Sequence, residues 1–385
     1  MAHVLFVYKQ FPAPAVGHAG GEALFGLMQG LRRRGHHLTL VARILETEKA
    51  QLPSVKAVCD AVITVPHHRD LPGPRPLAIA RSYLALRRAA AGALRSVHPD
   101  FVHVETTQTA LVLLGMALPP ASFRTQDINW FLQAQRRQHL HGAPAFVARG
   151  MELVFHCLEP LIWRKYEVLL AISEGDRHLM LPHKANKPLI LLPLAPALAT
   201  RGHPLPAVTD GPVLLFVGAM ARDHNINAVK WFLKHIWPRI HATAPQARFC
   251  IVGGAPPDEI RAAADGSSVV VTGYVADLTP WYEAADVFVA PLLVAGGLLQ
   301  KVVDAMAMGV PVVATSVCNH GLCANPGEHL LTADTPEDFA AAVLDLLHNA
   351  GARSRLGAAG RRFIDEHYNL EAALDRWEQA LLGRE

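Results

Sequence analysis

The chain has little charge, few cysteines and no long apolar runs. Only 18% of its 385 residues are Asp, Glu, Lys or Arg, against 51% hydrophobic. A large core is therefore available, and intrinsic disorder is excluded. The formal net charge of +3 is small for this length, and no basic block is interleaved with aromatics. Nucleic acid is not expected as a partner. The five cysteines (Cys59, Cys157, Cys250, Cys318, Cys323) include no C-x-x-C pair. An odd, scattered set fits a reducing compartment, where such residues serve as small buried hydrophobes. The 21 histidines show no spacing that points to zinc, and no metal is expected. The apolar run Val4 to Tyr8 is too short for a signal sequence and meets Lys9 and Pro12. The longest apolar stretches, such as Ala110 to Leu118, fall short of a membrane span. The expectation is a soluble, cytoplasmic protein.

What is present is best seen from Pro291 to Ala314. The run Ala285 to Pro291 reads as a buried parallel strand. Gly296 and Gly297 permit a tight turn and close approach of a ligand. Leu298 to Met308 reads as a helix, stopped by Gly309 and Pro311, and Val310 to Thr315 as the next strand. A glycine turn leading into a helix offers unpaired N–H groups and a positive dipole, which suits a phosphate. Lys301 in the first turn adds a full charge. Asp304, three residues on, lies within reach of a hydroxyl pair such as a ribose. The alternative is an ordinary exposed ion pair of Lys301 with Asp304.

A length of 385 residues predicts two domains. In the first half, strands are expected at His3 to Tyr8, His37 to Ala42, Ala61 to Val65, Phe101 to Glu105, Ala121 to Arg124, Val168 to Ser173 and Leu189 to Leu192. Between the first two lie a Gly/Pro-rich loop, Gln10 to Gly21, and a helix, Glu22 to Arg34. This βαβ start lacks G-x-G-x-x-G, so a dinucleotide is not indicated. Arg32, Arg33 and Arg34 close the helix, where cations favour the dipole. A basic, aromatic helical stretch is expected over Phe131 to Ala148. After a Pro/Ala-rich linker a second α/β unit begins, with strands at Val213 to Val217, Ala247 to Val252 and Val269 to Thr272 and a helix over Asn227 to Ile236. The fold class is α/β: two Rossmann-like, doubly wound domains facing a cleft, which is the default site. The boundaries are 1–195 for the first domain, 196–212 for the linker and 213–365 for the second, with 366–385 a terminal helix.

Five segments fall in one order over about a hundred residues: Phe216 to Met220, Asn225 to Val229, Val271 to Val275, Ala284 to Pro291 and Gly297 to Thr315. Together they resemble the carboxyl domain of retaining family-four glycosyltransferases of GT-B fold, in the branch found in bacterial cell-surface polysaccharide clusters. The first half is similar more weakly, through Gly20-Gly21, Arg124 to Asp127 and Ser173-Glu174. The resemblance implies transfer of a sugar from a nucleotide-diphosphate donor to a hydroxyl, with retention and without a further cofactor. It implies that Lys301 and Arg222 bind the pyrophosphate, that Asp304 holds the ribose, and that Tyr274 and Val275 lie along the base. Gly218, Gly253, Gly296, Gly297 and Leu298 would complete the donor site, joined by Gly20 and Gly21 from the first domain. The terminal helix would cross back onto that domain. No Asp-x-Asp occurs, which agrees with charge supplied by protein cations.

Two departures bear on mechanism. The family's Glu-x7-Glu becomes Gly296 and Asp304, and a histidine common in the family is replaced by Gln126. Gln126 cannot titrate, so the catalytic set implied is Lys301 and Gln126 with Asp127 as substitute base, or the donor phosphate takes the proton itself. His18, His103 and Glu105 are candidates to meet the acceptor, which would be a glycan, a lipid-linked molecule or a small molecule. The arginines of Leu77 to Val97 and the stretch Trp130 to Arg137 present either a solvated face or a contact with anionic lipid at the inner face of the cell membrane. Alternative functions are a GT-B epimerase and a catalytically silent nucleotide-binding subunit.

Overall fold

The structure, a computed structural model, describes residues 1–14, 19–138, 140–193 and 211–383. It consists of two compact units, Met1–Ala195 together with Leu370–Glu385, and Pro196–Asn369. Each is built on one parallel sheet.

The first unit holds strands β1 (His3–Tyr8), β2 (His37–Ile44), β3 (Ala61–Pro66), β4 (Phe101–Glu105), β5 (Ala121–Arg124), β6 (Val168–Ala171) and β7 (Leu189–Leu191). Their order is β3-β2-β1-β4-β5-β6-β7, every pair parallel. Val4 to Tyr8 are all at most 1% exposed, as a strand covered on both faces requires. One apolar layer gathers Leu24, Leu27 and Leu31 of the helix Ala19–Arg33 with Trp377; the other gathers Leu86, Ala90, Ile162 and Trp163. The order reverses between β1 and β4, so the segments after them flank a crevice at the carboxyl ends.

The terminal helix, Leu370–Leu382, belongs to this unit. Leu374 fills the space over Gly30, where an added Cβ would lie 2.7 Å from its Cδ1. The Trp377 ring meets His103 edge-on at 5.1 Å between centroids. Arg34 donates to Glu371, Asp375 and Glu378, Arg33 pairs with Glu371, and His36 lies 2.8 Å from Glu378. Arg32 pairs with Asp60. The arginine triplet therefore clamps distant segments as well as closing a helix.

The second unit holds β8 (Val213–Val217), β9 (Arg248–Val252), β10 (Val269–Gly273), β11 (Val287–Ala290), β12 (Val312–Ala314) and β13 (Leu331–Thr332), in the order β10-β9-β8-β11-β12-β13. Here the order reverses between β8 and β11.

Two helical segments differ from expectation. The stretch 131–148 is two helices, Asn129–Gln138 and Ala143–Trp163, separated at Gly142, whose φ of +64° no helix continues. The helix expected over Asn227 to Ile236 begins earlier, at Asp223, and runs on through a wide turn, Phe232–Ile236, to Thr243.

Candidate functional site

In the second unit, the segments after β8 and β11 bring Gly218, Asn225 and Lys301 together at the point where strand order reverses. Lys301 Nζ donates to Asn225 Oδ1 at 2.7 Å and lies 4.4 Å from the Phe216 ring centroid. Asn225 is 3% exposed and its amide donates to the Ala219 carbonyl at 2.9 Å, which fixes its oxygen toward the lysine. Lys301 is partly buried and turned to Asn225, so it is not an exposed ion-pair partner. Burial pushes its pKa down to about 7; the nearby Cys318 thiol opposes this and the Arg222 guanidinium adds to it. Arg222 is exposed, just before the helix Asp223–Trp231.

The glycines make this convergence fit. An added Cβ on Gly218 would lie 2.8 Å from Lys301 Nζ and 2.8 Å from Asn225 Nδ2. Gly253 has φ +155°, and an added Cβ there would lie 1.9 Å from the Gly218 carbonyl oxygen. Gly253 is thus required by its backbone contact with Gly218. The glycine turn is packed as closely. Gly297 has φ +59°, is buried, and its carbonyl oxygen lies 2.0 Å from where a Cβ on Gly321 would stand. Leu298 is 7% exposed. The helix begins only at Gln300 and ends at Ala307, so its leading N–H groups belong to Gln300 and Lys301 rather than to the glycines. Gly296 is partly exposed. Asp304 is 5% exposed and accepts from Gln300 Nε2 at 2.8 Å. Tyr274 stands 80% exposed beside Gly254, and Val275 is partly buried.

In the first unit, Gln126 follows β5. It accepts from the Tyr8 hydroxyl at 3.2 Å and donates to Glu105 Oε2 at 3.0 Å and to the Gly20 carbonyl at 3.3 Å. Gly20 and Gly21, expected at the end of a loop, are in the first turn of the helix Ala19–Arg33. A Cβ on Gly20 would fall 2.3 Å from Gln126 Oε1, so this glycine makes room for the amide. Asp127 is exposed, the one carboxylate in the run Arg124 to Asp127.

His103 and Glu105 are both 0% exposed, which corrects their assignment to acceptor contact. Glu105 accepts from Arg124 Nε at 2.7 Å, and His103 bridges Glu105 (2.9 Å) and Ser122 (2.8 Å). Burial opposes ionisation of Glu105, but Arg124, His103 and Gln126 outweigh it and hold the carboxyl below its ordinary value. Burial lowers His103. The cluster is a buried support for Gln126. His18 lies outside the described residues.

Sequence reasoning missed Asn225, Lys9 and Gln108. Lys9, directly after β1, donates to Gln108 Oε1 at 3.0 Å, with its pKa lowered by burial. A cation at the first residue past a central strand was the available signal. Of the arginines considered for lipid contact, three serve inside the unit: Arg87 donates to the Val112 and Leu114 carbonyls, Arg81 to that of Pro72, and Arg137 to Glu152. Among the described residues no group of three or more His, Cys, Asp or Glu is placed to hold a metal, and no helix is long and apolar enough to cross a membrane.

The fold is shared with solved structures over nearly the whole chain. Sucrose-phosphate synthase from Thermosynechococcus elongatus superposes with a TM-score of 0.75 at 16% identity, covering 98% of each chain. Anabaena HepE in complex with UDP-glucose gives 0.68 at 14% identity over 100% of each. TarM from S. aureus, in a complex that includes UDP, gives 0.67 at 10% identity over 99% of this chain and 100% of the other. The chain is therefore a GT-B protein: two parallel-sheet Rossmann-like units. Residues 211–349, within the second unit, match the family "Glycosyl transferases group 1". An uncharacterized 44.6 kDa protein in the cps region of Klebsiella pneumoniae is 27% identical over 164 residues, 40% of this chain. The match spans less than half of that relative, 42% of it.

Proposed function

We propose that this protein is a retaining glycosyltransferase that moves a sugar from a nucleoside-diphosphate donor to a hydroxyl of a glycan, lipid-linked or small-molecule acceptor. The observation behind this is the meeting of Lys301, Asn225 and Gly218 at the reversal point of the second sheet, beside the start of the helix Gln300–Ala307. Negative charge grows on the departing diphosphate in the transition state, so a fixed cation and helix N–H groups aimed there lower the barrier. Lys301 and Arg222 supply that charge from protein, with no metal required. Asp304 takes the ribose by exchanging its Gln300 partner, and the exposed Tyr274 ring stacks on the base. UDP in the HepE and TarM complexes makes UDP the first nucleotide to try. The cps-region relative supports a role in surface polysaccharide synthesis.

In the first unit, Gln126 is held at both ends of its amide and cannot take a proton. Asp127 or the donor phosphate does so. The fixed Gln126 also favours a second reading, a silent subunit that binds nucleotide without turnover. The two separate in one assay: release of nucleoside diphosphate from UDP-, GDP-, ADP- and dTDP-sugars with alcohol acceptors, the anomer of each product read by NMR. Release with retained configuration supports the transferase. Inverted product contradicts retention. Binding of a sugar nucleotide with no release selects the silent subunit.

A further inference from the structure

The helix Ala143–Trp163 turns an apolar face to solvent. Its inner side is ordinary, with Ala148, Pro160, Ile162 and Trp163 buried. On the other side Phe146 is 82% exposed, Val147 63%, Leu153 52%, Val154 55% and Leu161 56%. Positions 147, 154 and 161 repeat at two turns, as do 146 and 153, so these side chains form one stripe. The exposed Gly150 and Cys157 lie between them, and no charged side chain interrupts the stripe. An apolar patch of this extent marks an interaction surface.

The charges around it indicate the partner. Residues 129–166 hold five cations, Arg136, Arg137, Arg149, Arg164 and Lys165, and two acids, Glu152 and Glu159. Glu159 is buried, and Glu152 is engaged by Arg137 and Arg149. Arg136 near the end of the neighbouring helix and Arg164 and Lys165 at the end of this one are exposed, against one exposed acid just beyond, Glu167, which accepts from the Ala121 N–H. A second copy of the chain would bring two positive borders together, which disfavours self-pairing through this face. An anionic bilayer complements both the stripe and the border. The helix is 21 residues long, but Arg149, Glu152 and Glu159 fit it to lie on a membrane and not to cross one.

We infer that this helix docks the first unit on an anionic lipid surface, its apolar stripe entering the acyl boundary while Arg136, Arg164 and Lys165 meet the headgroups. The inference rests on exposure and charge alone and stands apart from the transfer reading. The test is co-sedimentation of the full chain with phosphatidylcholine vesicles, with and without phosphatidylglycerol. Wild type should partition onto the anionic vesicles and weaken with salt. The double variant Phe146→Ser/Val154→Ser should lose roughly tenfold or more in partitioning, since the membrane-facing apolar area falls. The triple variant Arg136→Ala/Arg164→Ala/Lys165→Ala should lose about a hundredfold, some fivefold per cation. Both variants should keep the wild-type thermal midpoint, because the altered side chains are exposed. No partitioning of wild type onto anionic vesicles at low salt would overturn the inference. So would variants that bind as tightly as wild type, or a wild-type dimer in light scattering that Phe146→Ser/Val154→Ser dissociates.

Discussion

At the residue scale the account turns on Lys301. Its pKa, pushed down to about 7 by burial, means the ammonium is held at a cost until an anion arrives. The sign follows from linkage. The unfolded lysine titrates near 10.4, so between about pH 7 and 10 the unfolded chain binds more protons, and this group's contribution to stability rises with pH. Below about pH 7 the burial penalty is fully present. A bound diphosphate reverses the shift, since it favours the charged form. Above about pH 7, then, nucleotide binding should take up a proton, approaching one per site near pH 9 and falling toward zero near pH 6. Calorimetry of UDP binding in buffers of different ionisation enthalpy reads this directly. Uptake that persists in Lys301→Ala would place the titrating group elsewhere. The strand–glycine–helix frame that carries Lys301 and Asp304 was legible as a local pattern. Asn225 was not, because its value lies in a contact 76 residues away in sequence. His103 and Glu105 misled for a related reason: position at a strand's carboxyl end says nothing of which way a side chain faces.

At the scale of elements, two glycines separate packing from binding. Gly253 sits at φ +155° against the Gly218 carbonyl, so Gly253→Ala strains backbone on both sides. It should lower stability by about 2 kcal/mol or more in urea denaturation. Gly218→Ala pushes instead on two side chains, the Lys301 ammonium and the buried Asn225 amide. It should cost less stability than Gly253→Ala while weakening nucleotide binding by roughly tenfold, the value of one charged hydrogen bond. A variant pair with these effects exchanged would contradict the geometry described for the site. The sequence marked Gly253 and Gly297 for the ligand; the folded backbone adds that Gly253 makes room for the Gly218 carbonyl, and that Gly321 makes room for the carbonyl of Gly297. Strand positions were readable because buried parallel strands are short apolar runs. Helix limits were less so: the turn at Gly142 and the late start at Gln300 depend on tertiary contacts.

At the scale of the whole molecule, two sheets each reverse strand order at their centre, and the candidate residues of each unit collect at that reversal. The terminal helix was legible, but its docking joins Trp377 to His103, 274 positions away, and Arg33 and Arg34 to residues more than 330 positions away. No local pattern encodes that pairing. The central claim is that the second unit binds a nucleoside diphosphate through Lys301. A thermal-shift series with UDP, GDP, ADP, dTDP and CMP, run on wild type and Lys301→Ala, tests it most directly. A ligand that binds only the folded state raises the melting temperature by mass action. The account predicts a clear rise with one diphosphate that Lys301→Ala removes; no rise with any of them, or a rise that Lys301→Ala leaves intact, would contradict it.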